Sequence, residues 1–332
     1  MRARTIEEQL VKYLADAHAI EEQALVQMRR APELAGVPEL ARAFSTHLEE
    51  TEEHEALIRE RLSAHESEPS AIKDTVMKAG GAGFALFAKV QPDTPGKLAA
   101  HAYSYEHLEL AAYELLARVA GRAEDSDCQL AAQQIRDQEQ AMADRLADLF
   151  DVAVDASLSE RGGDDVEADL VKYLADAHAI EEQSLGLLKR AAAHASPSEL
   201  RHLADEHLRE SEGHRRRIEE RLAEHGSKPS TLVDATMRLG ALNWTLFFRA
   251  QPDTPGKLTA FMFAFEHLEI AGYEQLTRVA AKAGDRATVE MGREILAQER
   301  EAAKDLSELF DIAIDASLDA QGVPRSTADV TR

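Results

Sequence analysis

Cysteine is nearly absent: the chain has one in 332 residues. A single thiol excludes a disulfide framework and any cysteine-rich zinc or iron–sulfur site. Positive charge is also in deficit, with 38 Lys and Arg against 61 Asp and Glu, a formal net charge of −23. Such a surface repels nucleic-acid phosphate and anionic lipid, so neither nucleic acid nor membrane is expected as a partner. No apolar run is long enough to span a bilayer. The opening MRARTIEEQ turns acidic before any apolar stretch, so no signal peptide is read and a cytoplasmic setting is expected. No segment alternates with period two for long enough to be a strand. What is present, 44% hydrophobic and 30% charged residues, suffices for a buried core.

At about 150 residues per domain the length suggests two domains, and the sequence is one unit written twice. LVKYLADAHAIEEQ at Leu10 returns at Leu170, QPDTPGKL at Gln91 returns at Gln251, EHLE at Glu106 returns at Glu266, and DASL at Asp155 returns at Asp315. Each pair is offset by 160 residues, far too long a period for a solenoid. The expected organisation is a first copy over 1–158, a linker over 159–166 within the polar stretch SLSERGGDDVE, a second copy over 167–320 and a polar tail over 321–332.

Ala, Leu, Glu, Arg and Gln dominate each unit, and the breaks are sparse, which predicts an all-α fold. Thr5 with Glu8 fits a capping box opening a first helix that runs to about Arg30. Pro38 opens a second helix; its counterpart Ser196-Pro197-Ser198-Glu199 carries both a proline and a capping-box pattern. Thr94-Pro95 opens a third helix ending near Gly121, and a fourth spans about Ser126 to Ala156. Between the second and third, residues 65–94 are long enough to cross the bundle as an extra helix, with Phe84 and Phe87, and later Trp244, Phe247 and Phe248, packing beneath it. The prediction is two tandem four-helix bundles of ferritin-like topology, with one long crossover each.

Acids interrupt the apolar stripes where leucines are expected. The first helix reads Leu10, Leu14, Ala17, Glu21, Leu25, Met28; the fourth reads Ala132, Ile135, Glu139, Met142, Leu146, Leu149. The third gives Ala102, Glu106, Glu109, Tyr113, Leu116, Ala120, and the second places Leu40, Phe44, His47, Glu50, His54, Leu57 and Ile58 on one broad face. Each acid lies mid-helix between apolar neighbours one turn away. A buried carboxylate without a partner costs several kcal/mol, so five in one core cannot all stay ionised unaided. Two divalent cations resolve the imbalance. Residues at i and i+3 or i+4, such as Glu106 with Glu109 or Glu50 with His54, can both reach a metal pair about 3.5–4 Å apart. Carboxylate-rich ligation favours iron or manganese over structural zinc.

The two copies test this internally. Glu49 has become Arg209, Glu53 has become Gly213 and Asp137 has become Ala297, whereas Glu50/Glu210, His54/His214 and Glu139/Glu299 are kept. His54 reads either as a ligand or as a group bonded to one. His47 and His18 read as orienting carboxylates or lying at the surface, and Tyr113 and Tyr273 as core residues. The flanks EERL and RDQEQ read as solvated surface.

The order IEEQ, HLEET, EHLELAAYE, then QEQ or QER resembles the YciE/YciF-type bacterial ferritin-like proteins associated with stress response, over nearly the whole of each half. The resemblance implies a ferritin-like bundle with a dinuclear metal centre, two iron or manganese ions per domain. Carried over by it are Glu21, Glu50, Glu106, Glu109 and Glu139, then Glu181, Glu210, Glu266, Glu269 and Glu299, with His54 and His214 as further candidate ligands. The fourth helix departs from a paired Glu-x-x-His pattern, with Met142 or Ala302 where the second His would stand, and the second copy reads HLRES in place of HLEET. The fusion suggests an intramolecular pseudo-dimer of the two halves, with room for further homo-oligomers, and argues against a storage shell. Three functions follow: an oxidoreductase consuming peroxide or oxygen, a non-catalytic metal-binding or sequestering protein, and a metal-free structural bundle.

Overall fold

The computed structural model describes residues 4–69, 94–160, 162, 165–229 and 254–327. The expected crossover segments, with Phe84, Phe87, Trp244, Phe247 and Phe248, lie outside these residues. Among the described residues every regular element is a helix. In the first half these are α1 (Ile6–Met28), α2 (Ala31–Leu34), α3 (Pro38–Ala64), α4 (Thr94–Arg122), α5 (Ser126–Asp148) and α6 (Phe150–Glu160). The second half has α7 (Val166–His194), α8 (Ser198–Glu224), α9 (Thr254–Ala283), α10 (Arg286–Glu308) and α11 (Phe310–Gln321). Four long helices in each half, α1, α3, α4, α5 and α7, α8, α9, α10, form two tandem bundles.

Short polar side chains start the helices by satisfying their first free N–H groups. Thr5 Oγ accepts from the Glu8 amide at 3.2 Å, while Glu8 Oε2 accepts from the Arg4 amide at 2.6 Å. Asp125, Asp165 and Asp285 cap α5, α7 and α10 in the same way. The capping box expected at Ser196 does not form. Pro197 is the cap residue of α8 and makes no side-chain cap bond, because the helix starts two residues after Ser196. The expected fourth helix is broken in both copies, at Leu149 and Leu309. The break turns Phe150 and Phe310 into the interior.

That turn carries the end of each half to the other. Phe310, Ile314 and Leu318 pack into the core built mainly on α1, α4 and α5, while Val154 and Leu158 pack into the core of the second half. The third helices, α4 and α9, lie against each other along the junction. Its polar contacts repeat with exchanged partners: Lys257 with Asp16 (2.6 Å) and Lys97 with Asp176 (3.7 Å), Arg122 with Asp315 (2.9 Å) and Lys282 with Asp155 (2.6 Å). Such reciprocity marks an isologous, two-fold-like interface.

Candidate metal centre

Each of the four long helices of the first half delivers mid-length polar residues to one buried point. From α1 comes Glu21, from α3 His47 and His54 two turns apart, from α4 Glu106 and Glu109 one turn apart, and from α5 Glu139. All six are buried, and Glu21, His47, Glu106 and Glu139 are fully so. One donor atom from each of His47, Glu106, Glu109 and Glu139 lies within 4.8 Å of the others, and the same holds for Glu21, His54 and Glu139. Glu139 is common to both groups, so the six donors form two adjoining sets joined by one carboxylate.

The donors face a common centre more than they face one another. His47 Nε2 lies 3.0 Å from Glu106 Oε2 and 3.3 Å from Glu139 Oε2, and His54 Nδ1 lies 2.9 Å from Glu139 Oε1. None of these approaches has hydrogen-bond alignment. Both carboxylate oxygens of Glu106, Glu109 and Glu139, together with Glu21 Oε2, lack a hydrogen-bond partner. So many orphaned buried acceptors in one place are costly for a protein closed on itself. A cation among them satisfies all at once. Four carboxylates balance two divalent ions if both imidazoles are neutral. The donor set therefore fits a pair of hard or borderline divalent metals.

Bonds on the outer side hold the inner donors in place. His47 Nδ1 lies 3.0 Å from Glu50 Oε2 and His54 Nε2 lies 3.1 Å from Gln138 Oε1. In each case the outer nitrogen carries a proton, because its partner is an acceptor, so that with a metal bound the inner lone pair would face it. The Tyr113 hydroxyl donates to Glu21 Oε1.

The second half repeats this arrangement. His207, Glu266, Glu269 and Glu299 bring donor atoms within 4.8 Å of one another. His214 Nδ1 lies 2.9 Å from Glu299 Oε1 and 3.4 Å from Glu181 Oε1. His207 Nδ1 meets Glu210 at 3.2 Å, His214 Nε2 meets Gln298 at 3.0 Å, and Tyr273 donates to Glu181. One difference touches the donors: Ser184, where the first copy has Ala24, donates to Glu269 Oε2 at 3.2 Å.

Without cations the cluster retains protons. Burial, with the repulsion of Glu139 behind it, pushes Glu21 up to about 7. Burial and three neighbouring acids push Glu109 well above the carboxylate range, and Glu269 behaves alike. Burial is the largest influence on His47 and opposes its charge, yet Glu106, Glu50 and Glu139 together outweigh it and raise His47 well above the usual imidazole value. These are the directions expected where protons substitute for missing positive charge.

Of the residues singled out in the sequence, the structure brings Glu21, His54, Glu106, Glu109 and Glu139 together, and likewise Glu181, His214, Glu266, Glu269 and Glu299. Glu50 and Glu210 stand to one side, with side chains 25% and 46% exposed, on the outer nitrogens of His47 and His207. His47, expected to orient a carboxylate or lie at the surface, is buried with its inner nitrogen toward Glu106, Glu109 and Glu139, and Glu50 orients it. The buried track of α3 explains the exchange: Leu40, Phe44, His47, Thr51, His54, Ile58 and Leu62 follow one another at three or four residues, and Glu50 falls off that line. Gln138 and Gln298, in flanks expected to be solvated, hold His54 and His214. Tyr113 and Tyr273 are core residues, as expected, and are also hydrogen-bond donors. His18 is buried and bonds Glu55 at 2.8 Å.

Residues 5–159 and again 166–319 match one family, described as a domain of unknown function (DUF892). No solved structure matches the chain.

Proposed function

The chain belongs to the DUF892 family in both of its halves, and we propose that each half is a dinuclear iron or manganese site acting as an oxidoreductase on peroxide or oxygen. The observation that carries this reading is the set of orphaned carboxylate and imidazole atoms converging from four helices. Glu21, His54 and Glu139 would hold one ion, and His47, Glu106, Glu109 and Glu139 the other. Four Glu and two His is the donor inventory of ferritin-like dinuclear carboxylate proteins, which set one Glu-x-x-His on each of two helices. Here the same inventory is redistributed, with both imidazoles on α3 and a Glu pair on α4. That redistribution accounts for Met142 and Ala302 on the fourth helix.

Bound in such a site, iron or manganese supplies electrons to an oxidant and a Lewis acid to polarise it. The chain's own part is to hold charge and protons. Tyr113 donates to Glu21 and fixes which oxygen is free. Glu50 would accept a hydrogen bond from the outer N–H of His47 and keep its inner nitrogen turned inward. The apolar residues flanking each donor exclude bulk water. The sequence resemblance to stress-associated ferritin-like proteins supports the choice of oxidant.

The test is elemental analysis of protein from iron- and manganese-supplemented cells, beside Glu109→Gln/Glu269→Gln. Two ions per half, about four per chain as in other two-metal sites, with loss in the variant and peroxide- or oxygen-dependent spectral change in the parent, support the reading. Metal that binds and releases without any such change leaves a sequestering protein. Metal-free parent protein leaves a structural bundle.

A further inference from the structure

A second group of metal-binding side chains lies at the end of the first bundle, away from the six donors. His65 closes α3, Asp125 caps α5, and Cys128, the chain's one cysteine, stands in the first turn of α5. His65 Nε2 lies 2.8 Å from Asp125 Oδ2 and 3.6 Å from Cys128 Sγ. One donor atom from each of the three falls within 4.8 Å of the others. An ion with metal–nitrogen and metal–oxygen bonds of about 2.0–2.2 Å and a metal–sulfur bond of about 2.3 Å holds such atoms roughly 3.3–3.6 Å apart in a tetrahedron. The nitrogen–sulfur distance already meets this, and the nitrogen–oxygen pair needs to open by about half an ångström.

The second copy shows what this joint does when it has a cation of its own. There the equivalent residues are His225, Asp285 and Thr288, and the Arg221 guanidinium sits on them: 2.6 Å to Asp285 Oδ2, 2.9 Å to Thr288 Oγ1 and 3.2 Å to His225 Nε2. Arg61, the counterpart of Arg221, is turned elsewhere. It bonds Glu60 and approaches Asp127 at 3.6 Å, an acid that the second copy replaces with Ala287. Its Nε is buried without a hydrogen-bond partner. The copy with a hydroxyl at this joint thus has a cation bonded to it, and the copy with a thiol has Arg61 near but not bonded to His65, Asp125 or Cys128.

We propose that His65, Asp125 and Cys128 bind one zinc-class divalent ion, completed by water, that clasps the end of α3 to the start of α5. Thiolate, imidazole and one carboxylate make a donor set that suits zinc and leaves the fourth position open. His65 and Asp125 are 24% and 21% exposed at their side chains, so solvent can reach that position. Binding displaces the thiol proton to solvent, forming the metal–sulfur bond as the S–H bond breaks. The buried thiol is itself no nucleophile, since burial and the nearby Asp125 push it up to about 12.

The test is anaerobic titration of the full chain with cobalt(II) as a zinc surrogate. A thiolate-to-cobalt charge-transfer band can arise only from Cys128, whatever the carboxylate clusters bind. The expected result is such a band, with the intensity of one thiolate–cobalt bond per chain at saturation, bleached by zinc and absent from Cys128→Thr. That variant carries the residue the second copy folds with, and its circular dichroism should match the parent. Cobalt bound with no charge-transfer band, or a band that zinc does not remove, overturns the assignment.

Discussion

His107 and His267 stack face to face across the junction of the two halves, with ring centroids 3.5 Å apart and planes 14° from parallel. Each Nδ1 donates to a carbonyl one turn back, Tyr103 or Phe263, at 2.7 Å. Tyr103 and Phe263 flank the stack at 4.4 Å from His107 and His267 respectively. Two parallel imidazoles in such a place are neutral, and burial holds His107 down at about 4 and His267 well below its usual value. In the unfolded chain both gain protons near 6.5. Their stabilising effect is therefore present above pH 6.5 and is lost as pH falls toward 4. For His107 alone the loss is about 3 kcal/mol at most. His107→Phe/His267→Phe should flatten this part of the stability profile relative to the parent, as read by denaturant midpoints from pH 7 to 4.5.

Metal-free protein should show the opposite slope at its centres. Glu21 and Glu266, held near 7 chiefly by burial, and Glu109 and Glu269, raised well above the usual carboxylate value by burial and neighbouring acids, bind more protons folded than unfolded. A raised carboxylate contributes stability below its unfolded value of 4.5 and loses it as pH rises through its folded value. The melting temperature of chelator-treated protein should fall between pH 5 and 8, and adding iron(II) or manganese(II) should restore it most at pH 8. A flat profile, with no metal-dependent gain, would remove the charge argument for the site.

Glu50 and Glu109 are both acids on the interior helices, yet they should behave differently when altered. Glu109 has both oxygens buried and without partners, whereas Glu50 is held in its charged form first by the His47 bond. Glu50→Gln should keep the full metal complement with affinity weakened about 10–100-fold, the usual cost of losing a partner behind a ligand. Glu109→Gln should lose metal outright. Equilibrium titration against a chelator of known affinity separates the two outcomes.

Gly96 admits no larger residue at the junction. A Cβ there would sit 2.9 Å from Ser157 Oγ and 3.1 Å from both Gln275 Oε1 and Tyr173 Oη. Ser157 accepts the Gly96 amide at 2.8 Å, and Gln275 from the other half donates to its carbonyl at 2.7 Å. Gly96→Ala should destabilise the chain by about 1–3 kcal/mol. Gly213→Ala, in α8 with nothing near the added carbon, should instead stabilise by about 0.5–1 kcal/mol. Urea unfolding of the two variants checks the pair.

The lone acids of α1 and α5 and the pair on α4 were legible because a helix has one buried track and each of these residues lies on it. Glu50, expected on the buried face, stands beside it, because a face drawn broadly enough to include His47, His54 and Leu57 also admits a residue one step aside. The track through Thr51 would have separated them. Gln138 was illegible for another reason: nothing in RDQEQ distinguishes an amide that reaches across to α3 from one in water. The junction lay further off still. His107, Ser157 and Gln275 take their meaning from the opposite half, and periodicity along one helix carries no information about that.

A pair of identical chains related by a two-fold axis must write every substitution twice. Joining the two copies end to end lifts that constraint while the reciprocal junction keeps the geometry of the pair. Cys128 stands in one half against Thr288 in the other, Ala24 against Ser184, Asp127 against Ala287. Each is a change that an exchangeable homodimer could not have confined to one side. The covalent link thus makes the two centres heritable as individuals, free to be tuned apart while still delivered in fixed one-to-one proportion.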